Sequence, residues 1–460
     1  MEDVGLTKEG LEESVRLPIY MVDFYRKSLS EIVRLLKENN KPVKRVAWNS
    51  TLMAVSNIAE KGLLFVFSIL IARKFGARSC GDFFTAFVFV NIVFVFIDFG
   101  LVRIVTREVA IDHHSAGKYC GNMLGIRIAS VIFAMLAIVL ILPVCNFSYE
   151  VNTSVFILSA YAVLLYLSHP FVAVFRAVEK MRLISYMIIA DRLTTLILSF
   201  ALILGGFDLL YVETSFLLGG LIRILIGTVS YIKIIGPVRF MFDVIFWKRL
   251  LKESYLIGLF ITLLLLYFRV DTLLLSFLGY GSSEIGLYNA AYNIFVVMSL
   301  PAMSFSMATF PVFSRFYCEN GNHRRQYEIV SLVLIIIVGV TVAAIIYVLA
   351  EPIILLLYGS EFQEATGILK MLTVGSLFTS INWFMHSLFT AASLVKELVI
   401  IVLGATIFNA VLNIALIPSM ASKGAAIATC FTEFVAVLSF LFFFYKTVSV
   451  RSVAGERVDI

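Results

Sequence analysis

Runs of about twenty mostly apolar residues recur along the whole chain, separated by short polar or Gly/Pro-marked breaks, and about twenty is the length a helix needs to cross the hydrocarbon layer of a bilayer. Twelve membrane-spanning helices are predicted. Six lie at Ala47–Ala72, Phe83–Val105, Gly121–Val144, Val155–Val174, Leu183–Leu204 and Tyr211–Ile232, and six at Ser254–Leu278, Ile285–Phe313, Ile329–Leu349, Thr366–Ala391, Leu398–Ile417 and Gly424–Phe444. The chain divides into a cytoplasmic N-terminal segment (1–46), a first six-helix lobe (47–232), a cytoplasmic linker (233–253), a second six-helix lobe (254–444) and a cytoplasmic tail (445–460).

A repeat supports the two lobes. Gly76, Gly81, Phe83, Ala86 and Phe87 align without gaps with Gly281, Gly286, Tyr288, Ala291 and Tyr292 at a constant offset of 205 residues, between the first and second helix of each half. An offset that spans an even number of helices makes the halves parallel repeats about an axis along the membrane normal, with a site between them near the midplane. The expected fold is all-α and membrane-integral, two six-helix bundles around a central cavity.

Orientation follows from Lys and Arg, which accumulate in cytoplasmic connections. With the N-terminus inside, the inner segments hold 27 of them and the outer segments only Arg73, Lys74, Arg78 and Lys423. A multi-pass protein of the cell membrane with both termini cytoplasmic is expected. In the N-terminal segment Met21, Tyr25, Leu29, Ile32, Val33 and Leu36 share a helix side against Arg26, Lys27, Arg34 and Lys37, the pattern of an interfacial helix on anionic lipid, or else of a solvated lead-in.

Composition agrees with this reading: 60% of the 460 residues are hydrophobic and 15% charged, against about 25% charged in soluble proteins. The net charge of +6 sits between apolar runs and forms no stripe on a polar face, so nucleic acid is not an expected partner. The five cysteines have no metal-ligand or disulfide-framework spacing. A phosphate-binding Gly-rich loop with Lys-Ser/Thr is absent, as are the zinc-protease and nucleophile-elbow motifs, and no catalytic or metal residues are expected.

Local patterns run from about Lys44 to Lys446. They include Ile71-Ala72-Arg73-Lys74-Phe75-Gly76, Asp98-Phe99-Gly100-Leu101, Arg269-Val270-Asp271, Gly286-Leu287-Tyr288-Asn289, Leu357-Tyr358-Gly359-Ser360-Glu361-Phe362, and Asn409 and Asn413 ahead of Gly424-Ala425-Ala426. In order and spacing the chain resembles the polysaccharide-transporter branch of the multidrug/oligosaccharidyl-lipid/polysaccharide exporter superfamily. The resemblance implies a two-lobed flippase, not an enzyme, that moves a lipid-linked glycan to the outer leaflet by alternating access. Membrane lipids, the glycan substrate and polysaccharide-assembly proteins are the partners it implies, with no cofactor beyond a coupling H⁺ or Na⁺.

Ionisable residues inside the membrane cost at least about 2.5–3.5 kcal/mol each and so face a cavity or a partner. Lys61 and Arg269 stand fourteen and fifteen residues into the first helix of their lobes, about 20–22 Å from the inner boundary. At matching depth they are candidates to grip a phosphate or pyrophosphate headgroup, Arg269 by its fork and Lys61 as a point charge. The resemblance favours a basic cavity residue at Lys61. The competing reading pairs Lys61 with a nearby carboxylate and Arg269 with Asp271. Arg127 and Arg223 are further substrate candidates, set against snorkelling for Arg127 and a structural pair for Arg223, while Arg192 is read as paired with Asp191. Asp271, Asp98 and Asn57 are the ion-coupling candidates, Asp98 alternatively a helix-end cap. Two runner-up functions remain, a multidrug or cation antiporter of the same superfamily and a membrane-embedded glycan polymerase or transferase.

Overall fold

The computed structural model describes residues 41–319 and 324–446. The expected interfacial helix and most of the C-terminal tail lie outside the described residues. The first lobe comprises α1 (Lys41–Val95), α2 (Leu101–Ile111), α3 (Ala116–Ile141), α4 (Tyr149–Ala177), α5 (Met181–Leu204), α6 (Leu209–Glu213) and α7 (Ser215–Ile234). The second comprises α8 (Val244–Phe277), α9 (Ser282–Met298), α10 (Leu300–Glu319), α11 (Arg324–Val348), α12 (Ala350–Leu357), α13 (Ala365–Ala391) and α14 (Val395–Phe444).

Among the described residues, ten helical stretches are long and apolar enough to cross a membrane. Two of them carry a span in each arm. In α1 the backbone leaves helical geometry at Gly76 (φ 79°, ψ −177°), and the Phe67 and Phe83 rings lie 5.2 Å apart, where a straight helix would separate them by about 24 Å. In α14 the break is at Ala421 (φ 48°, ψ −132°), and Asn409 Nδ2 donates to Thr432 Oγ1 at 3.3 Å across the bend. Ten stretches therefore make the twelve spans the hydropathy pattern predicts.

One expected continuous span is broken. The second span stops at Val95 and resumes at Leu101, with Phe99 (φ 50°) and Gly100 (φ 67°) in the left-handed region. The eighth runs on through Ser299, whose backbone stays in the right-handed helical region. Hydropathy cannot register such breaks, because the flanking residues stay apolar.

The lobes meet through the repeat itself. A Cβ on Gly81 would overlap the Ser282 carbonyl, and one on Gly286 would overlap the Ala77 carbonyl. Ala77 and Ser282 are also 205 residues apart, so this is one contact seen from both sides of a pseudo-two-fold axis, the self-complementary geometry of an isologous interface. Around it Ser282 Oγ donates to Asp82 at 2.5 Å, and Ala77 N donates to Glu361 Oε1 at 2.8 Å. Arg73 donates Nε to the Leu357 carbonyl at 2.8 Å and Nη2 to that of Leu356. At the opposite face Gly100 packs on the backbone of Gly258, too close for a Cβ on either, and Arg107 pairs with Glu253 at 2.9 Å.

Candidate functional site

Most deep charges of the first lobe are consumed in ion pairs. Arg127, fully buried, holds Asp98 at 2.5 Å and the Ile97 carbonyl at 3.1 Å, with His169 Nδ1 3.4 Å from the same carboxylate. Snorkelling of Arg127 is therefore corrected. It spans the break between α1 and α2, where the carbonyl freed by the interrupted helix needs a donor. Asp98 is its counter-ion. Arg192 pairs with Glu60 at 3.1 Å and not with its neighbour Asp191, which pairs with Arg223 at 3.3 Å and accepts Tyr161 Oη at 3.1 Å. Consecutive residues on a helix diverge by about 100°, so Asp191 and Arg192 face different partners. Arg223 also donates Nε to Ser168 Oγ at 3.1 Å. In this geometry neither Arg127 nor Arg223 is offered to a substrate.

Lys61 and Arg269 differ from these. Lys61 is exposed, and its Nζ lies 3.7 Å from Met303 Sδ of α10. Glu60, the nearest carboxylate in sequence, is held by Arg192 instead. Arg269 lies with its guanidinium carbon 5.5 Å from the centre of the Tyr292 ring, a cation–π placement, and its buried Nη1 has no hydrogen-bond partner. Among the described residues neither cation forms an ion pair. Lys61 on α1 of one lobe and Arg269 on α8 of the other are thus deep cations without an ion pair, and Arg269 keeps one buried donor unused.

The pairing of Arg269 with Asp271 does not occur. Two residues on along α8, Asp271 points into the second lobe, where it is 2% exposed. There it accepts Tyr288 Oη at 2.7 Å and Thr429 Oγ1 at 2.8 Å on one oxygen and Asn413 Nδ2 at 2.6 Å on the other. Asn413 Nδ2 also reaches Asn409 Oδ1 at 3.1 Å, and Asn413 Oδ1 is buried without a partner. A carboxylate, two amide oxygens and a hydroxyl converge here, the donor set a hard cation takes. Among the described residues no cluster of three or more His, Cys, Asp or Glu is found, so amide and hydroxyl oxygens would complete any shell. The side chain of Asn57 lies outside the described residues.

Tyr288, Tyr292, Asn409 and Asn413 belong to the repeat and to local patterns of the sequence that by themselves assign them no role. A usable signal was present: Tyr288/Tyr292 and Asn409/Asn413 are each four residues apart, which aligns them on one helix face. Glu433 lines a separate pocket of the second lobe, a cavity of about 50 Å³ walled by Tyr267, Phe268, Trp383 and His386, and accepts Asn382 Nδ2 at 2.7 Å.

Residues 46–317 match the family described as polysaccharide biosynthesis protein, and residues 257–415 match the MatE family. The chain is 24% identical over 242 residues to the uncharacterized membrane protein MJ1068 of Methanocaldococcus jannaschii, a match over 51% of this chain that spans about half (47%) of that relative's length. Among solved structures, the lipid II flippase MurJ in an inward closed conformation superposes with a TM-score of 0.72 at 19% identity, covering 86% of this chain and 87% of that one. An inward-facing multidrug transporter of the MATE family gives 0.71 at 14% identity, covering 86% and 95%. A transporter of the same superfamily from Pyrococcus furiosus, described as having a binding pocket of reverse polarity, gives 0.59 at 15%, covering 87% and 93%. These likenesses show a shared two-lobed fold, and the family match covers more than half of the chain. On the family match this multi-pass membrane protein belongs to the polysaccharide biosynthesis protein family.

Proposed function

We propose that the protein is a flippase that carries a lipid-linked oligosaccharide, by its phosphate or pyrophosphate headgroup, across the cell membrane for surface glycan assembly. The observation that carries this reading is that Lys61 on α1 and Arg269 on α8, one in each lobe, form no ion pair among the described residues, while a buried guanidinium nitrogen of Arg269 has no hydrogen-bond partner. An anion bound by both offsets their charge while taking the free guanidinium donor. With the Gly76 face as the outer side, the contacts of Gly81, Glu361 and Arg73 close the outside of the cleft. Outward opening breaks them. The oxygen cluster around Asp271 is the place for a coupling cation. MurJ is a lipid II flippase, which supports an anionic lipid as cargo.

A second reading, antiport of cationic drugs, draws on the MatE match and on Glu433 in its aromatic pocket. Purified protein in liposomes separates the two. A short-chain polyprenyl-pyrophosphate-linked sugar should be flipped and a cationic dye should not. Neutralising Lys61 or Arg269 removes a charge-assisted contact worth about 1.5–3 kcal/mol, so Lys61→Ala and Arg269→Ala should each lower flipping per inserted molecule at least about tenfold. Arg269→Lys should also be impaired because the planar fork is lost, and Lys61→Arg should be tolerated. Wild-type flipping per molecule in both alanine variants would refute the headgroup assignment.

A further inference from the structure

Arg269 and Asp271 sit on one helix, two residues apart, and their side chains leave it about 200° apart. Each performs a separate task in the proposed transport, the cation gripping the headgroup and the carboxylate holding the coupling ion. They do not touch. A continuous set of contacts nevertheless joins them by way of α9. Tyr288 Oη donates to Asp271 Oδ2 at 2.7 Å. The Tyr288 ring stacks on that of Tyr292, centroids 5.7 Å apart and planes at 28°. Tyr292 in turn lies beneath the Arg269 guanidinium, and its hydroxyl donates to the Phe268 carbonyl at 2.6 Å, one residue before Arg269. Both tyrosines are buried, at 1% and 2% exposure.

We propose that Tyr288 and Tyr292 are positioning residues that couple cation occupancy at Asp271 to the placement of Arg269, and so to headgroup affinity. This inference rests on the flippase reading. The physical reason is competition for one oxygen. Asp271 Oδ2 already accepts two hydroxyls, Tyr288 and Thr429, and Oδ1 accepts Asn413. A cation that takes the carboxylate as ligand draws lone pairs from these bonds. Asn413 can answer by turning its unpartnered Oδ1 to the ion. Tyr288 has only its hydroxyl, so its ring must shift, and the stacked Tyr292 ring and the guanidinium resting on it shift with it. Close-packed interiors transmit such displacements because no free space absorbs them. Coupling of this kind typically changes affinity by about 5–150-fold.

The test measures binding of geranyl pyrophosphate, as headgroup probe, to full-length protein in lipid nanodiscs, in sodium chloride and in choline chloride at equal ionic strength. The quantity read is the ratio of the two dissociation constants. In wild type it should differ from one by at least about fivefold. Tyr288→Phe keeps the stack and every charge but removes the hydroxyl from Asp271, and should bring the ratio close to one whatever the absolute affinity. Tyr292→Leu removes the ring under Arg269 and should also abolish the ratio. Tyr292→Phe restores the ring and should recover it, which a general packing defect would not allow. Long-range repulsion between the cation and Arg269 predicts instead that Tyr288→Phe keeps the wild-type ratio. That result, or a wild-type ratio of one, overturns the proposal. Unchanged probe binding in Arg269→Ala would instead refute the underlying headgroup reading, so the two failures are distinguishable.

Discussion

Charged side chains inside a membrane end either in a partner or in a cavity, and this protein separates the two outcomes residue by residue. Arg127 with Asp98, Arg192 with Glu60 and Arg223 with Asp191 are partnered, whereas Lys61 and Arg269 form no ion pair among the described residues. Removing one member of a buried pair leaves an uncompensated charge, at a cost of about 3–5 kcal/mol, while removing both together costs far less. Arg127→Ala should therefore reduce the amount of folded protein recovered from membranes. Adding Asp98→Ala should restore much of it. Size-exclusion profiles of the single and double variants check this, and a double variant as poorly folded as Arg127→Ala would show that the pair does more than neutralise itself. Transport per folded molecule separates this structural class from Lys61 and Arg269.

At the scale of elements, the bend of α1 at Gly76 and the glycine crossing at Gly81/Gly286 bring the lobes into backbone contact. The atoms that a Cβ would strike there belong to carbonyls, which cannot swing aside as a side-chain tip can. Overpacking of this kind costs about 1–3 kcal/mol. Gly81→Ala and Gly286→Ala should each destabilise the protein, and by similar amounts because the contact is symmetric. Gly62→Ala, on the same bent helix but with open space where its Cβ would lie, should be neutral or slightly stabilising, since Ala favours a helix interior over Gly by about 1 kcal/mol. Thermal aggregation midpoints of the three variants test the order. A Gly62→Ala variant as unstable as Gly81→Ala would remove the crossing as the explanation.

For the whole molecule, the count of basic residues predicts that the Gly76 face lies outside. With an even number of spans the Ser360 turn is then predicted outside and the His113–Ser115 turn inside. Single cysteines at His114 and Ser360, both exposed, should label from opposite sides with a membrane-impermeant thiol reagent in intact cells, read against the background of the native cysteines. Labelling from the same side would refute the orientation.

Hydrophobic periodicity alone determined the number of spans and the all-helical class, because a bilayer admits few solutions and each needs about twenty apolar residues. The offset between Gly81 and Gly286 likewise made the two-lobed repeat legible. Partner choice was not legible. That Asp191 pairs with Arg223, that Glu60 pairs with Arg192, and that Asp271 turns away from Arg269 into a ring of neutral donors depend on helix rotation and on neighbours 32 to 142 residues distant in the chain. Sequence spacing carries little of that information: a charge in an apolar run reads the same whether its counter-ion is across a helix crossing or absent. The interruption at Gly100 was hidden for a related reason, since hydropathy reports what a segment is made of and not which backbone bonds it keeps. Tertiary structure alone decided which of the deep charges are spent on the ion pairs that hold the fold.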